Sequence, residues 1–392
     1  MGFVSQNPAC RHFPLCGGCQ TLDMPYSFQL EAKQRFVEEA FGDFPGVRIF
    51  PLLESPVSTG YRHKVQLPFG AVRTGRSLRP LVGCYAQGTH KVVDQSECQV
   101  QDPALSRLAW AVRDWAMHAH VPIYHEVTGE GFLRHILLRK GLATGEILLG
   151  LVANGPRPAH YRSLVKTLLP ALNKVLTESD GKLVGIVQDV NTRLTNVVLG
   201  GYEEPWWGRS FLKERIGKHS FHVELSTFLQ VNPYQTPRLY AEVARHIPDG
   251  GRVLDAYCGM GTITLWLSGK SREVVGVEEN PRSIEAARAA AHANGVQNAR
   301  FVRGDAAVEL PRLAGEGWDA VVVDPPRSGL TTESVEALRT GAARRLVYVS
   351  CNPQTLLRDA SLLSGWRLSE VRGIDMFPHT THVECVARFD RI

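Results

Sequence analysis

The sequence predicts an α/β protein in three parts: a cysteine-bearing segment with one amphipathic helix (residues 1–60), a β-rich middle (61–225) and a doubly wound α/β domain (226–392). Three observations carry this. From Arg252 onward, apolar strand-like runs alternate with helical patterns, the signature of a parallel sheet covered on both faces. Through the middle, short runs of alternating polarity are broken by Gly, Asn and Pro, as in strands facing water on one side. Near the start, three cysteines fall within residues 10–19, too dense for ordinary core residues.

Composition bounds the rest. The chain has 392 residues and 44% hydrophobic content, enough for two or three cored domains. No apolar run approaches the ~20 residues of a membrane span, and the start lacks the charged and apolar regions of a signal peptide. Eight cysteines do not make a disulfide scaffold, so a reducing cytoplasm is the expected compartment, with no membrane partner and a monomeric state. Net charge is +5. Residues 51–200 hold 17 Lys and Arg against 11 Asp and Glu, whereas residues 201–392 hold 23 of each. The surplus in the middle suggests a surface for a polyanion.

In the first segment, Cys10-x5-Cys16-Gly-Gly-Cys19 places two glycines where the backbone must fold tightly around a bound group. Cys98 is available as a fourth thiol. Three clustered cysteines and a distant one suit an iron–sulfur cluster better than zinc, which favours two paired Cys-x2-Cys knuckles; free thiols are the remaining reading. Residues Tyr26–Phe41 follow as an amphipathic helix with Leu30, Phe36, Val37, Ala40 and Phe41 apolar. No chemistry is visible in it.

The middle reads as antiparallel strands near residues 64–67, 132–138, 146–152, 183–188 and 196–199, with helices near 103–118 and 160–176. Two basic fragments, Tyr61-Arg-His-Lys64 and Leu133-Arg-His-Ile-Leu-Leu-Arg139, fit either a surface that holds phosphates and stacks bases or plain outward-facing basic residues.

In the last domain, Arg252-Val-Leu-Asp255 leads into Ala-Tyr257-Cys-Gly259-Met-Gly261, with a helix from Thr262. Such a turn lets a ligand approach the backbone. The next strand ends at Glu278, 23 residues after Asp255, where a carboxylate accepts from ribose hydroxyls. Asp305 follows a third strand, placed for an adenine amine, and Asp324-Pro-Pro-Arg327 follows a fourth. Thr264 stands where a dinucleotide motif has its third glycine. With the Asp-Pro-Pro, that favours S-adenosylmethionine over NAD. Leu346-Val-Tyr-Val-Ser350 is a buried strand delivering Cys351-Asn-Pro353 into a helix near 354–363. By itself Cys351 reads first as a buried structural thiol and only second as a nucleophile, because free cysteines are among the most buried residues. Glu384, after Asp375-Met-Phe-Pro-His379-Thr-Thr-His, is costly to bury without a role or partner.

Together these residues resemble the RNA uracil-5-methyltransferases, which make 5-methyluridine. The matching motifs are Phe-Leu-Gln230-Val-Asn232, Leu-Asp255-x-Tyr-Cys-Gly-Met-Gly261-Thr, Asp324-Pro-Pro-Arg-Ser-Gly329, Val-Ser-Cys351-Asn-Pro and Asp-Met-Phe-Pro-His-Thr-x-His-Val-Glu384, and Cys-x5-Cys-Gly-Gly-Cys-Gln20 matches the cluster-bearing members. The resemblance covers nearly the whole chain. It implies a Rossmann-like methyltransferase domain at the C-terminus, Cys351 as nucleophile and Glu384 as the base that removes the carbon 5 proton. It also implies Gln230, Tyr257, Thr262, Glu278, Asp305 and Asp324 at S-adenosylmethionine, and a 4Fe-4S cluster on Cys10, Cys16, Cys19 and Cys98. With no RNA-binding barrel expected before Cys10, the chain is most similar to the shorter 23S rRNA type, with the T-loop uridine of tRNA as the other RNA. Cys84, Cys258 and Cys385 are left as structural thiols. Base-amine methylation would want an aromatic residue in place of Arg327, DNA cytosine-5 methylation a Pro-Cys pair, and a non-catalytic RNA-binding module would have lost Cys351 or Glu384.

Overall fold

The computed structural model describes residues 10–75 and 77–392. Packing divides the chain into two compact units. One holds residues 10–24, Val57–Arg215 and His222–Ser226; the other holds Pro25–Pro56, Ile216–Phe221 and Thr227–Ile392. This partition differs from boundaries at 60 and 225, because the amphipathic helix leaves the cysteine segment and joins the C-terminal domain.

In chain order the first elements are α1 (Tyr26–Phe41), β1 (Arg48–Leu53), β2 (Lys64–Thr74), β3 (Ser77–Val82), α2 (Pro103–His118), β4 (Leu133–Lys140) and β5 (Glu146–Ala153). Next come α3 (Tyr161–Leu176), β6 (Lys182–Val190), β7 (Tyr202–Gly208), β8 (Phe211–Ile216), β9 (His219–Glu224), α4 (Thr236–Arg245), β10 (Arg252–Ala256) and α5 (Thr262–Ser268). The last are β11 (Glu273–Glu278), α6 (Pro281–Ala293), β12 (Ala299–Arg303), α7 (Ala306–Leu313), β13 (Ala320–Val323), α8 (Thr332–Thr340), β14 (Arg345–Ser350), α9 (Pro353–Leu362), β15 (Trp366–Ile374) and β16 (Glu384–Arg391). No helix among the described residues is long and apolar enough to cross a membrane.

The first unit is built on a six-stranded sheet in the order β3-β2-β4-β5-β6-β7. Its core joins Leu105, Leu108 and Val112 of α2 and Leu168 and Leu172 of α3 to the strand residues Ile136, Leu149 and Ile186. The sheet is not purely antiparallel: β5 and β6 run parallel, with α3 as their crossover. The strand expected at 196–199 is absent; residues 191–200 form a loop. The Asn191 amide donates to the carbonyls of Val197 and Val198 at 2.7 and 2.8 Å, so these acceptors bond locally.

The second unit carries an eight-stranded sheet in the order β1-β15-β16-β14-β13-β10-β11-β12. Strands β10 to β14 are parallel, while β16 runs antiparallel to both β14 and β15. β13 is buried along its whole length, hence its uninterrupted Ala-Val-Val-Val. β1 lies parallel to β15 at the edge, and Val37 and Phe41 of α1 enter the same core as Tyr348 and Phe389. Residues 25–56 therefore complete the C-terminal sheet. The order reverses beside β10, whose neighbours are β11 and β13, and ligands of open α/β sheets bind outside the strand ends at such a switch point.

Candidate active site

Every residue expected in the methyl-transfer site except Gln230 lies at or beyond one edge of the eight-stranded sheet. Asp324 follows β13 and Cys351 follows β14. Because β16 is antiparallel, its first residue, Glu384, starts at the edge where those strands stop. Ser350 pairs directly with Cys385, so Cys351 and Glu384 are the next residues outward on adjacent strands. Cys351 opens on a cavity of about 290 Å³ with Arg327, Asn352, Thr381, His382 and Phe36 of α1 in its wall.

The charges around the thiol act against one another. Burial pushes Cys351 above the ordinary thiol range, and the carboxylates of Glu384 and Asp324 push the same way; the Arg327 guanidinium, set against the sulfur, opposes them. Glu384 is 2% exposed. Burial raises its carboxyl well above the usual carboxylate range, Asp324 adds to the rise, and Arg327 again opposes it. Burial raises Asp324 as well. Burial and mutual repulsion thus raise both acids in the same direction.

Local bonds fix this edge. The Asn352 side chain accepts from Gln354 N at 3.2 Å and caps α9. Buried Asp359 accepts from the Tyr348 hydroxyl at 2.7 Å and from Leu330 N at 2.8 Å. It thereby pins the segment after Asp-Pro-Pro-Arg. Gly329 has φ +81°, and a Cβ there would meet Asp359 Oδ2 at 2.6 Å, so this turn requires glycine.

The turn after β10 has the shape of a ligand cradle. Tyr257 takes the left-handed conformation at φ 64°, uncommon outside glycine, and its hydroxyl lies 3.1 Å from Ser334 Oγ. A Cβ on Gly259 would meet open space, whereas one on Gly261 would meet Phe301 at 2.9 Å. One glycine leaves the turn accessible and the other lets helix and strand pack. Glu278 accepts from Gly259 N at 3.1 Å and from Asn280 N at 2.8 Å, so the carboxylate is anchored beside the turn. Thr262 begins α5, its hydroxyl 2.8 Å from that of Tyr240. Asp305 is exposed and caps α7 by accepting from Ala307 N at 2.9 Å. Gln230 is half-buried just ahead of the fully buried Asn232, whose amide donates to Ser55 Oγ at 3.0 Å and Met376 O at 3.2 Å. An open glycine and an anchored carboxylate at the switch point fit an adenosyl group.

The other unit gathers Cys10, Cys16, Cys19 and Cys98 around one small cavity, and Cys84, expected to be a bystander, lines it too with Arg62 and Gln95. Cys16 is lowered to about 6, first by a hydrogen bond with Cys84, then by Gly18 N and the Gln95 amide, against the effect of burial. Burial, then the charges of Cys98, Cys16 and Cys10, hold Cys19 up at about 12. Among the described residues no group of three or more His, Cys, Asp or Glu is set to hold a metal ion. A single ion needs ligands converging on a point, whereas a cluster takes its thiolates on separate irons. Arg62 Nε and Gln95 Oε1 are buried at this cavity without a hydrogen-bond partner. Cysteine sulfurs gathered beside an unpartnered guanidinium nitrogen are the donor set that an iron–sulfur cluster would use.

The two basic fragments point inward rather than forming an outer surface. Arg62 faces the cysteine cavity. His63 is buried, 3.8 Å from Asp102. Arg134 donates to the carbonyls of Asn191 and Arg193 at 2.7 and 2.9 Å and covers the Tyr124 ring. Arg139, 3% exposed, donates to Leu225 O at 3.0 Å. Guanidinium groups that satisfy buried carbonyls are fasteners.

Comparison with known proteins agrees with this geometry. The tRNA (uracil-5-)-methyltransferase family matches residues 221–391. An RNA methyltransferase of Leptospira interrogans, described as uncharacterized, is 42% identical over 98% of this chain and 99% of its own length. The chain belongs to the RNA uracil-5-methyltransferase family. A second relative, from Clostridium acetobutylicum and described in the same words, is 36% identical over 98% of the chain and 84% of its own length. The crystal structure of the Pyrococcus abyssi tRNA (uracil-54, C5)-methyltransferase, in complex with S-adenosyl-L-homocysteine, matches with a TM-score of 0.76 and 29% identity, over 96% of this chain and 86% of that one. Like its family, the chain is an S-adenosylmethionine-dependent RNA methyltransferase acting on carbon 5 of uracil. Sequence reasoning did not place Phe36 and Cys84 in the walls of these cavities. Nothing in their spacing marks them; only the fold brings them to these cavities.

Proposed function

We propose that this enzyme methylates a uridine of 23S rRNA by adding Cys351 to carbon 6 of the base and removing the carbon 5 proton with Glu384. The observation that supports the catalytic roles is the meeting of a thiol, two raised carboxyls and a guanidinium at one sheet edge. Carbon 5 of uracil is a poor nucleophile until a thiolate adds to carbon 6 and makes the ring enolate-like. Arg327 favours the thiolate that burial disfavours. S-adenosylmethionine supplies the methyl group, and Gln230, Tyr257, Thr262, Glu278, Asp305 and Asp324 are the residues assigned to hold it. The raised Glu384 is a stronger base than an exposed carboxylate, suited to take the carbon 5 proton as the Cys351–carbon 6 bond breaks. The target base leaves its stack to reach the cavity.

The 4Fe-4S cluster is assigned to Cys10, Cys16, Cys19 and Cys98, with Arg62 balancing their charge. It takes no part in the steps above. A second reading of the RNA, the T-loop uridine of tRNA, is favoured by the Pyrococcus abyssi structure.

Two measurements test this. Mapping 5-methyluridine by mass spectrometry in rRNA and tRNA from a deletion strain and its complemented parent identifies the RNA. Loss from 23S rRNA supports the first assignment, and loss from tRNA alone replaces it. Glu384→Gln is expected to leave a covalent protein–RNA adduct on a denaturing gel; methylated free RNA at the normal rate would remove Glu384 from the mechanism.

A further inference from the structure

The loop from β15 to β16, residues 375–383, is fastened to α1. Asp375 is fully buried. Its Oδ1 accepts from Lys33 Nζ at 2.7 Å, and its Oδ2 accepts from the Tyr26 hydroxyl at 2.7 Å. Lys33 Nζ also donates to Phe377 O at 3.0 Å. One turn earlier on the helix, Gln29 Oε1 accepts from His379 N at 2.9 Å, and Gln29 Nε2 lies 3.1 Å from His379 Nδ1. His379 has φ 65°, a conformation a non-glycine residue keeps only when its surroundings impose it. Lys33 is 4% exposed and Gln29 2%.

A buried ion pair is a weak source of stability, because both ions lose their water, and apolar residues would hold a helix to a sheet equally well. What this polar set adds is a fixed position for the loop. The loop supplies Thr381 and His382 to the wall of the Cys351 cavity, and Phe36 of the same helix lines that cavity. Ile374 and Glu384 are the last pair of the β15–β16 ladder; beyond them only the loop connects the two strands.

We propose that Lys33, together with Gln29, is a positioning residue for methyl transfer: α1 holds the 375–383 loop so that the uracil cavity keeps its wall and Glu384 keeps its place. This rests on the roles proposed for Cys351 and Glu384. The residues touch neither substrate nor cofactor in this scheme and act through the loop.

The test compares Lys33→Met, Gln29→Leu and Glu384→Gln, using unmethylated total RNA from the deletion strain. The readouts are single-turnover methyl transfer, binding of S-adenosylhomocysteine by calorimetry, and the fraction of adduct on a denaturing gel. Lys33→Met is expected to slow transfer about 100-fold, the scale of an ångström's misplacement. S-adenosylhomocysteine binding stays unchanged and the adduct fraction rises. Gln29→Leu, which leaves the ion pair in place, is expected to do the same more weakly and covers the case where Lys33→Met does not fold. Normal transfer in either folded variant overturns the proposal. So does a loss of S-adenosylhomocysteine binding in step with transfer in both, since α1 would then serve the fold alone. Absence of adduct in Glu384→Gln is a failure of the base assignment instead, and Lys33 is then judged on its transfer rate.

Discussion

Cys351 and Cys16 carry the same thiol in opposite settings, one in each unit. Cys351 is half-buried between two acids and a single opposing guanidinium, and it sits above the ordinary thiol range. Cys16 is surrounded by another thiol, a backbone amide and the Gln95 side chain, and sits at about 6. A less stabilised thiolate attacks more strongly but leaves more slowly, so at Cys351 the rise serves the addition step. A thiol meant to hold iron gains from being an anion throughout. Burial raises both thiols; what separates them is that acids add to the rise at Cys351, whereas hydrogen bonds outweigh it at Cys16.

Four substitutions would break or sharpen that contrast. Cys351→Ala has the largest expected effect, a loss of methylation of at least about 10³-fold with S-adenosylhomocysteine binding and iron content retained; turnover near wild type would end the nucleophile assignment. Cys16→Ser is expected to do the reverse. Iron measured by elemental analysis after anaerobic purification falls away while S-adenosylhomocysteine binding by the other unit persists. Zinc without iron in the parent protein would remove the cluster altogether. Arg327→Gln removes the charge that lowers both Cys351 and Glu384. Transfer should slow by about 10-fold at neutral pH, the alkaline rise of the pH–rate profile moving to higher pH as the thiol rises. An unmoved profile would show that Arg327 leaves the thiol alone.

The smallest effect is on stability. Buried Asp255 is raised to about 7, first by burial, while Thr264 Oγ1 donates to it at 2.5 Å. A folded-state value above the unfolded one near 3.9 means that the folded protein binds the extra proton between those limits. Its contribution is complete below about pH 4 and is lost as pH rises through 7. Thermal stability of the parent should fall between about pH 4 and 7, and Asp255→Asn should remove on the order of 2 kcal/mol of that fall. Parallel slopes in the two proteins would contradict it.

The site was legible where strands ended in polar residues. Asp324, Cys351 and Glu384 each break an apolar run, and the ends of strands in an open α/β sheet are where ligands bind. α1 was legible as a helix but not as a neighbour of the site. Its apolar residues suggested a face through Leu30, Phe36, Val37, Ala40 and Phe41; Val37 and Phe41 do lie in the buried stripe, but Gln29 and Lys33 complete it. A lysine that pairs with an aspartate 342 positions away looks in sequence like any solvated lysine. The basic fragments failed for the related reason that Arg134 and Arg139 bond to carbonyls local patterns do not reveal.

One consequence follows from β1. Arg48 pairs with Glu370, so the first strand of the methyltransferase sheet waits for a partner about 320 residues further along the chain. On the ribosome, α1 and β1 emerge early and stay unpaired while the entire first unit is made and can fold. The methyltransferase sheet closes only once β15 and β16 have been made, so a chain stalled before β15 carries an open strand edge and no assembled site.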